Sequence, residues 1–101
     1  MSDLHVLPLD LTGKRALVCG ASQGIGLAAA QQLAGLGAQV TLLARNRDRL
    51  NDALSTLPGD GHAVAAADFQ HPEDVRRAVA EVLDSGDVHI LVNNSGGPAG
   101  G

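Results

Sequence analysis

The chain divides into two kinds of hydrophobic pattern that follow one another in a regular order. Short runs of consecutive apolar residues, bounded by glycine, proline or asparagine, are typical of strands buried on both faces. Between them lie stretches in which apolar residues recur every three or four positions, as on one face of a helix. The runs predict strands over residues 15–19, 40–44, 62–67 and 88–92, and the periodic stretches predict a helix after each of the first three strands.

Residues at the predicted helix ends agree with this assignment. Gly37 stands just after the first helix, where a C-terminal cap glycine belongs. Asn46 is a favourable N-cap for the second helix. Pro72 is a favourable first residue for the third, and the acids Glu73 and Asp74 follow it at the positive end of the helix dipole. The apolar face of the first helix is expected to consist of Ile25, Ala28, Ala29, Leu33 and Leu36.

The order β-α-β-α-β-α-β, with about 25 residues from one strand to the next, is the pattern of a parallel, doubly wound sheet. Right-handed crossovers place the first two helices on one face of the sheet and the third on the other, with strand order 3-2-1-4. We therefore expect a single α/β domain over residues 1–101, a Rossmann-type parallel sheet with flanking helices that represents an incomplete doubly wound fold.

Composition narrows the class of protein. With 45% apolar and 18% charged residues among 101, the chain is a folded globular protein rather than a disordered one. Seven basic against eleven acidic residues give a net charge of −4, which argues against a nucleic-acid or membrane partner. Cys19 is the single cysteine and is expected in the core, and no targeting segment is visible, so a cytoplasmic location is expected. The four histidines share no ligand-like spacing, so no metal site is predicted.

Three glycines lie between the first predicted strand and the first helix. Gly20, Gly24 and Gly26 allow a tight turn, a close approach of backbone to a pyrophosphate, and close packing of helix on strand. The start of the helix behind them offers free N–H groups to a phosphate. This turn predicts nucleotide binding, and the alternative is a turn that is merely tight.

Four motifs in order resemble the short-chain dehydrogenase/reductase family in its classical branch. They are Leu9-Asp10-Leu11-Thr12-Gly13-Lys14 before the first strand, Gly20-Ala21-Ser22-Gln23-Gly24-Ile25-Gly26 after it, Asp68 after the third, and Asn93-Asn94-Ser95-Gly96 after the fourth. The resemblance covers the chain but only the N-terminal, cofactor-binding part of the family pattern.

The resemblance implies a nicotinamide dinucleotide site. Its implied residues are Gly20, Ser22, Gln23, Gly24, Ile25 and Gly26 around the pyrophosphate, Asp68 and Phe69 beside the adenine, and Asn94, Ser95 and Gly96 near the ribose and nicotinamide. Phe69, where the family carries a small aliphatic residue, is the departure that bears most on cofactor fit.

The second strand decides between the two nicotinamide cofactors. An NAD site places an acid at the end of this strand to hold the ribose hydroxyls. Here Ala44 occupies that position and Arg45 follows it, and a guanidinium can grip a 2′-phosphate. We therefore expect NADP rather than NAD, although Gln23 stands where many NADP-binding members carry a second basic residue.

The resemblance implies an oxidoreductase that transfers hydride between NADP and a small carbonyl or alcohol substrate, and that forms a homo-oligomer. The family's catalytic tyrosine and lysine lie beyond this segment, and the chain contains no tyrosine. No catalytic residue is therefore assigned, and the 101-residue chain alone is expected to be inactive.

Three other interpretations differ in class. One is an NADP-binding module without catalysis, and another is a structural fragment without a ligand. The third is an α/β-hydrolase, since Gly20–Gly24 fits the G-x-S-x-G elbow with Ser22 as nucleophile, followed by Asp68 and His89. Only 19 residues precede Gly20, too few for the strands and oxyanion loop of that fold, and His89 lies in a predicted strand.

Overall fold

The protein is described by a computed structural model, which covers residues 10–94. Four parallel strands form one sheet in the order β3-β2-β1-β4, as predicted. The elements are β1 (Arg15–Cys19), α1 (Gly24–Gly35), β2 (Gln39–Ala44), α2 (Arg47–Leu54), β3 (Ala63–Ala66), α3 (Pro72–Asp84) and β4 (Ile90–Asn93). The bounds of β1 are as predicted, those of the other three strands differ by one or two residues, and the Rossmann-like α/β fold is confirmed.

The strand register brings the carboxyl ends of all four strands to one edge of the sheet. Leu17 in the middle of β1 lies opposite Thr41 of β2 and Leu91 of β4. Backbone hydrogen bonds continue past the strands at this edge, from Gly20 N–H to the Leu43 carbonyl at 2.8 Å and from Asn94 N–H to the Cys19 carbonyl at 3.0 Å. The loops that follow the strands therefore leave the sheet side by side.

Helices cover the two faces of the sheet unequally. On the first face α1 and α2 pack over a core that includes the fully buried Val18, Val40, Leu42 and Leu50. On the second face α3 packs over a smaller core formed by Leu17, Cys19, Leu43, Ala67, Ala78 and Val82. This division of two helices and one helix is the one that right-handed crossovers require.

The buried side of α1 differs from the predicted one. Ile25 is 78% exposed and Ala28 is exposed, whereas Gly26, Ala30 and Ala34 are buried, four residues apart along the helix. A helix that lies close to a sheet needs its smallest side chains at the contact. The prediction was therefore wrong for Ile25 and Ala28, whereas Leu33 packs against the core as predicted.

The helix ends follow the sequence signals. Gly37 N–H donates to the Ala34 carbonyl and Ala38 N–H to the Leu33 carbonyl, the two bonds of a Schellman cap. The Asn46 side chain accepts from Arg49 N–H at 3.0 Å, and Pro72 begins α3. No helix within residues 10–94 is long and apolar enough to cross a membrane.

Candidate functional site

A cleft of about 640 Å³ opens at the carboxyl edge of the sheet. In open parallel sheets, ligands bind in the crevice outside the carboxyl ends of the strands. Segments that follow each of the four strands contribute to it. Its walls are formed by Gly20, Ser22, Gln23, Gly24, Ile25, Ala44, Arg45, Asp68, Phe69, Gln70 and Asn94.

The glycine turn after β1 forms the floor of the cleft by its backbone. Gly24, the first residue of α1, has a φ of +65°, in the left-handed region that glycine adopts without strain. Gly26 faces the turn itself, where an added Cβ would lie 2.3 Å from the Gly20 carbonyl oxygen. The two positions need glycine for different reasons, one for backbone conformation and the other for contact between helix and turn.

The start of α1 differs from the starts of the other helices. The α2 N-terminus has the Asn46 cap and Asp48 in its first turn, and α3 has Glu73 and Asp74. In α1 the N-cap residue Gln23 makes no side-chain cap bond, and the first turn contains no acid. No carboxylate in the first turn of α1 therefore offsets the positive end of the helix, which faces the cleft. This suits the binding of an anionic group of a ligand there.

Arg45 supplies positive charge on the wall formed by the end of β2. It directly follows the buried Ala44 and is exposed at the cleft, and it forms no ion pair among residues 10–94. Arg47 and Arg49, in the first turn of α2, are not among the lining residues. Of the three arginines that follow β2, only Arg45 is positioned to meet a ligand in the cleft.

The loop after β3 folds around Asp68. Its carboxylate accepts from Gln70 N–H at 2.9 Å and lies 3.2 Å from His71 Nδ1, and its carbonyl accepts from His71 N–H at 2.9 Å. The Gln70 N–H bond, together with the charges of His71 and Arg45, holds the pKa of the Asp68 carboxyl below its usual value. A carboxylate hydrogen-bonded in this way stays ionised at neutral pH.

Phe69 and Asp74 connect the same loop to α3. Phe69 is half-buried and packs against the core of the second face while lining the cleft. Asp74 reaches back from the first turn of α3, and its Oδ2 accepts from Asp68 N–H at 2.9 Å. One wall of the cleft is therefore anchored to a helix as well as to the sheet.

Nine of the twelve predicted binding residues line this cleft. Gly26 lies behind the turn rather than on the cleft surface. Ser95 and Gly96 fall outside the described residues. Sequence reasoning missed Gln70 and Asp74, and the only signal for them was their spacing of two and six residues from Asp68.

The geometry excludes the hydrolase triad. Ser22 follows the carboxyl end of β1, whereas His89 precedes β4 and its Nδ1 accepts from the Arg15 N–H at the amino end of β1. The five residues of β1 separate these ends by about 16 Å.

The Cys19 thiol, in the core of the second face, is no candidate for a reactive group. Burial raises the pKa of this thiol, so that it stays protonated and packs as an apolar side chain.

Known proteins resemble this chain in sequence and structure. The family profile described as short chain dehydrogenase matches residues 14–101. Glucose 1-dehydrogenase of Gluconobacter oxydans is 44% identical over 88 residues, which is 83% of this chain and 33% of that protein. A dehydrogenase/reductase from Sinorhizobium meliloti is 35% identical with a TM-score of 0.81, over 93% of this chain and 39% of that one. An actinorhodin polyketide ketoreductase solved with NADPH is 35% identical with a TM-score of 0.77, over 84% of this chain and 34% of that one.

The matches agree in extent as well as in identity. The chain spans about a third of the length of the curated relatives it matches. Within that third, the fold and the strand order correspond to those of the matched family. The chain belongs to the short-chain dehydrogenase family of oxidoreductases.

Proposed function

We propose that this chain forms the NADP-binding part of a reductase or dehydrogenase acting on a small carbonyl or alcohol substrate. Support comes from the cleft, in which a glycine turn, an uncompensated helix start and an exposed arginine face the same space. The backbone of Gly20–Gly26 would hold the pyrophosphate, Arg45 the 2′-phosphate, and the Asp68–Phe69 wall the adenine. When bound, the cofactor would supply a hydride in its reduced form or accept one in its oxidised form.

The observation that carries the choice of cofactor is the pair Ala44 and Arg45 at the end of β2. No carboxylate stands there to bind the ribose hydroxyls of NAD, and Ala44 is 6% exposed. Arg45 instead offers a planar group that can form two charge-assisted hydrogen bonds to a phosphate. The NADPH in the actinorhodin polyketide ketoreductase structure is consistent with this choice.

Titration with NADPH and NADH tests the proposal. We expect NADPH to bind tighter by roughly tenfold or more, the size of one charge-assisted phosphate contact. Arg45→Ala should remove most of that difference and leave NADH affinity nearly unchanged. Arg47→Ala makes the same change of charge away from the cleft, so it should preserve the preference. Equal affinities of the wild-type protein for both cofactors would refute the NADP assignment.

The catalytic step needs residues that the sequence lacks. The family resemblance assigns the proton transfer to a tyrosine, and none of the 101 residues is one. We therefore propose that the chain binds NADP without turning it over by itself. Incubation with NADPH and a panel of ketones and aldehydes should give no protein-dependent loss of the reduced-nicotinamide absorbance, and turnover that survives purification would contradict this.

Assembly and an alternative function complete the proposal. We propose that the protein forms a homo-oligomer, because the apolar side chain of Leu91 on β4 is 64% exposed and a second subunit could cover it. The second candidate is a module that binds NADP in the same cleft without belonging to a catalytic unit. NADPH binding without turnover in the full-length source protein would support the module.

A further inference from the structure

The wall of the cleft after β3 is fixed by a side chain that does not itself line the cleft. Ala67 N–H donates to the Ala44 carbonyl at 3.0 Å and so continues the pairing of β3 with β2. The next amide, Asp68 N–H, donates instead to the carboxylate of Asp74 at 2.9 Å. The chain leaves the sheet at Asp68. The Asp74 carboxylate there accepts the backbone N–H that would otherwise donate to a carbonyl of the neighbouring strand.

The carboxylate of Asp74 is itself held in place. Its Oδ2 accepts from Asp68 N–H, while its Oδ1 pairs with the Arg77 guanidinium one turn further along α3. The side chain is 31% exposed, and Asp74 is not among the residues that line the cleft. Asp74 thus ties α3 to the loop without offering a surface to a ligand.

The position of the Asp68 amide governs the rest of the wall. The Asp68 carboxylate and carbonyl accept from the amides of Gln70 and His71, so the loop is folded upon this single residue. Phe69 lies between these bonds and contributes its ring to the cleft. We propose that Asp74 is a positioning residue of the dinucleotide site, because its hold on the Asp68 amide places Asp68 and Phe69 against the ligand.

This inference rests on the proposed NADP site. It predicts that replacing Asp74 changes the affinity for NADPH in the direction opposite to the one expected from charge alone. A carboxylate near an anionic ligand repels it, so removal of the charge alone strengthens binding. Loss of the hydrogen bond frees the Asp68 amide and loosens the wall, which weakens binding. The direction of the change therefore separates a positioning role from a charge effect.

The experiment compares three variants of the full chain by NADPH titration. The protein contains no tryptophan or tyrosine, so the fluorescence of the reduced nicotinamide is read without interference. Asp74→Ala should weaken NADPH binding about tenfold, the size of one hydrogen bond to a charged group. Asp74→Asn keeps an oxygen that can accept from Asp68 N–H and should restore most of the affinity. Glu73→Ala, the adjacent exposed carboxylate, controls for charge and should bind as tightly as wild type or tighter.

Circular dichroism at the titration temperature establishes that each variant is folded, so that a loss of stability is not mistaken for a loss of affinity. Asp74→Ala binding as tightly as Glu73→Ala would overturn the proposal. An equal loss in Asp74→Asn and Asp74→Ala would also overturn it, since the hydrogen bond would then be irrelevant.

A ligand-free measurement distinguishes failure of this inference from failure of the proposed function. If wild type binds no NADPH, the proposed function is wrong. Hydrogen exchange at the Asp68 amide then still tests what Asp74 does. Faster exchange of the Asp68 amide in Asp74→Ala than in Glu73→Ala supports the inference that Asp74 fixes this amide. Equal exchange rates in the two variants overturn it.

Discussion

The two edges of the sheet use the same kinds of side chain in opposite ways. At the amino edge, His62 Nδ1 accepts from Val40 N–H and His89 Nδ1 accepts from Arg15 N–H, each at 3.0 Å. The Arg15 guanidinium there donates to the Val82 carbonyl at the end of α3. At the carboxyl edge, Arg45 has no ion-pair partner within the described part of the chain and faces a cleft.

This contrast separates structural from functional polar residues. Histidine and arginine at the amino edge satisfy backbone groups where strands begin and a helix ends, so they act there as parts of the fold. At the carboxyl edge Arg45 and the first turn of α1 instead face the cleft. Composition cannot tell the two edges apart, whereas the partners of each side chain do.

The largest expected effect comes from a glycine at the carboxyl edge. In Gly26→Ala the new Cβ would meet backbone atoms, the Gly20 oxygen at 2.3 Å and Ala21 Cα at 3.2 Å, so α1 must shift away from the turn. We expect a loss of about 3 kcal/mol or more in the free energy of unfolding, at the upper end of the cost of overpacking. Urea denaturation followed by circular dichroism measures it.

Gly24→Ala is the matched control for this prediction. Nothing lies within 4 Å of an added Cβ there, and the cost is the φ of +65°, worth about 1–2 kcal/mol for a non-glycine residue. Equal losses of stability in the two variants would show that backbone conformation, and not the contact between α1 and the turn, governs this edge.

Local signals predicted the strands and the caps, because each depends on residues close in sequence, and the handedness of crossovers then predicted the strand order. Asn46 could be recognised as a cap, and the apolar run of β2 as a buried strand, without knowledge of any neighbour. The face of α1 could not be predicted, since burial of Gly26 and Ala30 reflects how closely the helix approaches the sheet. Similarly, the spacing of glycines predicted the cleft, whereas the bond from Asp68 N–H to Asp74 depends on where α3 docks.

A histidine of the amino edge should affect stability and leave binding unchanged. The half-buried His62 accepts from the N–H of the fully buried Val40, and its Nε2 lies 2.7 Å from the Pro58 carbonyl, to which it donates. His62→Ala leaves both backbone groups without these partners and should cost about 1–2 kcal/mol. NADPH affinity of the folded protein should equal that of wild type. Weaker binding without loss of stability would place the amino edge in the functional site.

His89→Ala can be compared with His62→Ala, since both histidines accept a backbone N–H at the amino edge. Its bond to Arg15 N–H has the same length, but His89 is exposed, so water can replace the imidazole. The expected loss is therefore smaller than for His62→Ala. A larger loss in His89→Ala would mean that burial of the bond does not determine its contribution.

The smallest expected effect is the pH dependence of the Asp68 loop. The Gln70 N–H bond, with the charges of His71 and Arg45, lowers the pKa of Asp68 in the folded protein below its usual value. The ionised carboxylate therefore stabilises the folded state above about pH 4, and this contribution is lost as the pH falls through the lowered pKa. Asp68→Asn should be slightly less stable than wild type at pH 7, and the difference should vanish in strong acid. Urea unfolding at both pH values measures it, with Asp60→Asn, an exposed carboxylate before β3, as the control for charge. A difference that persists in strong acid would show that the Asp68 side chain stabilises the loop by its shape and not by its charge.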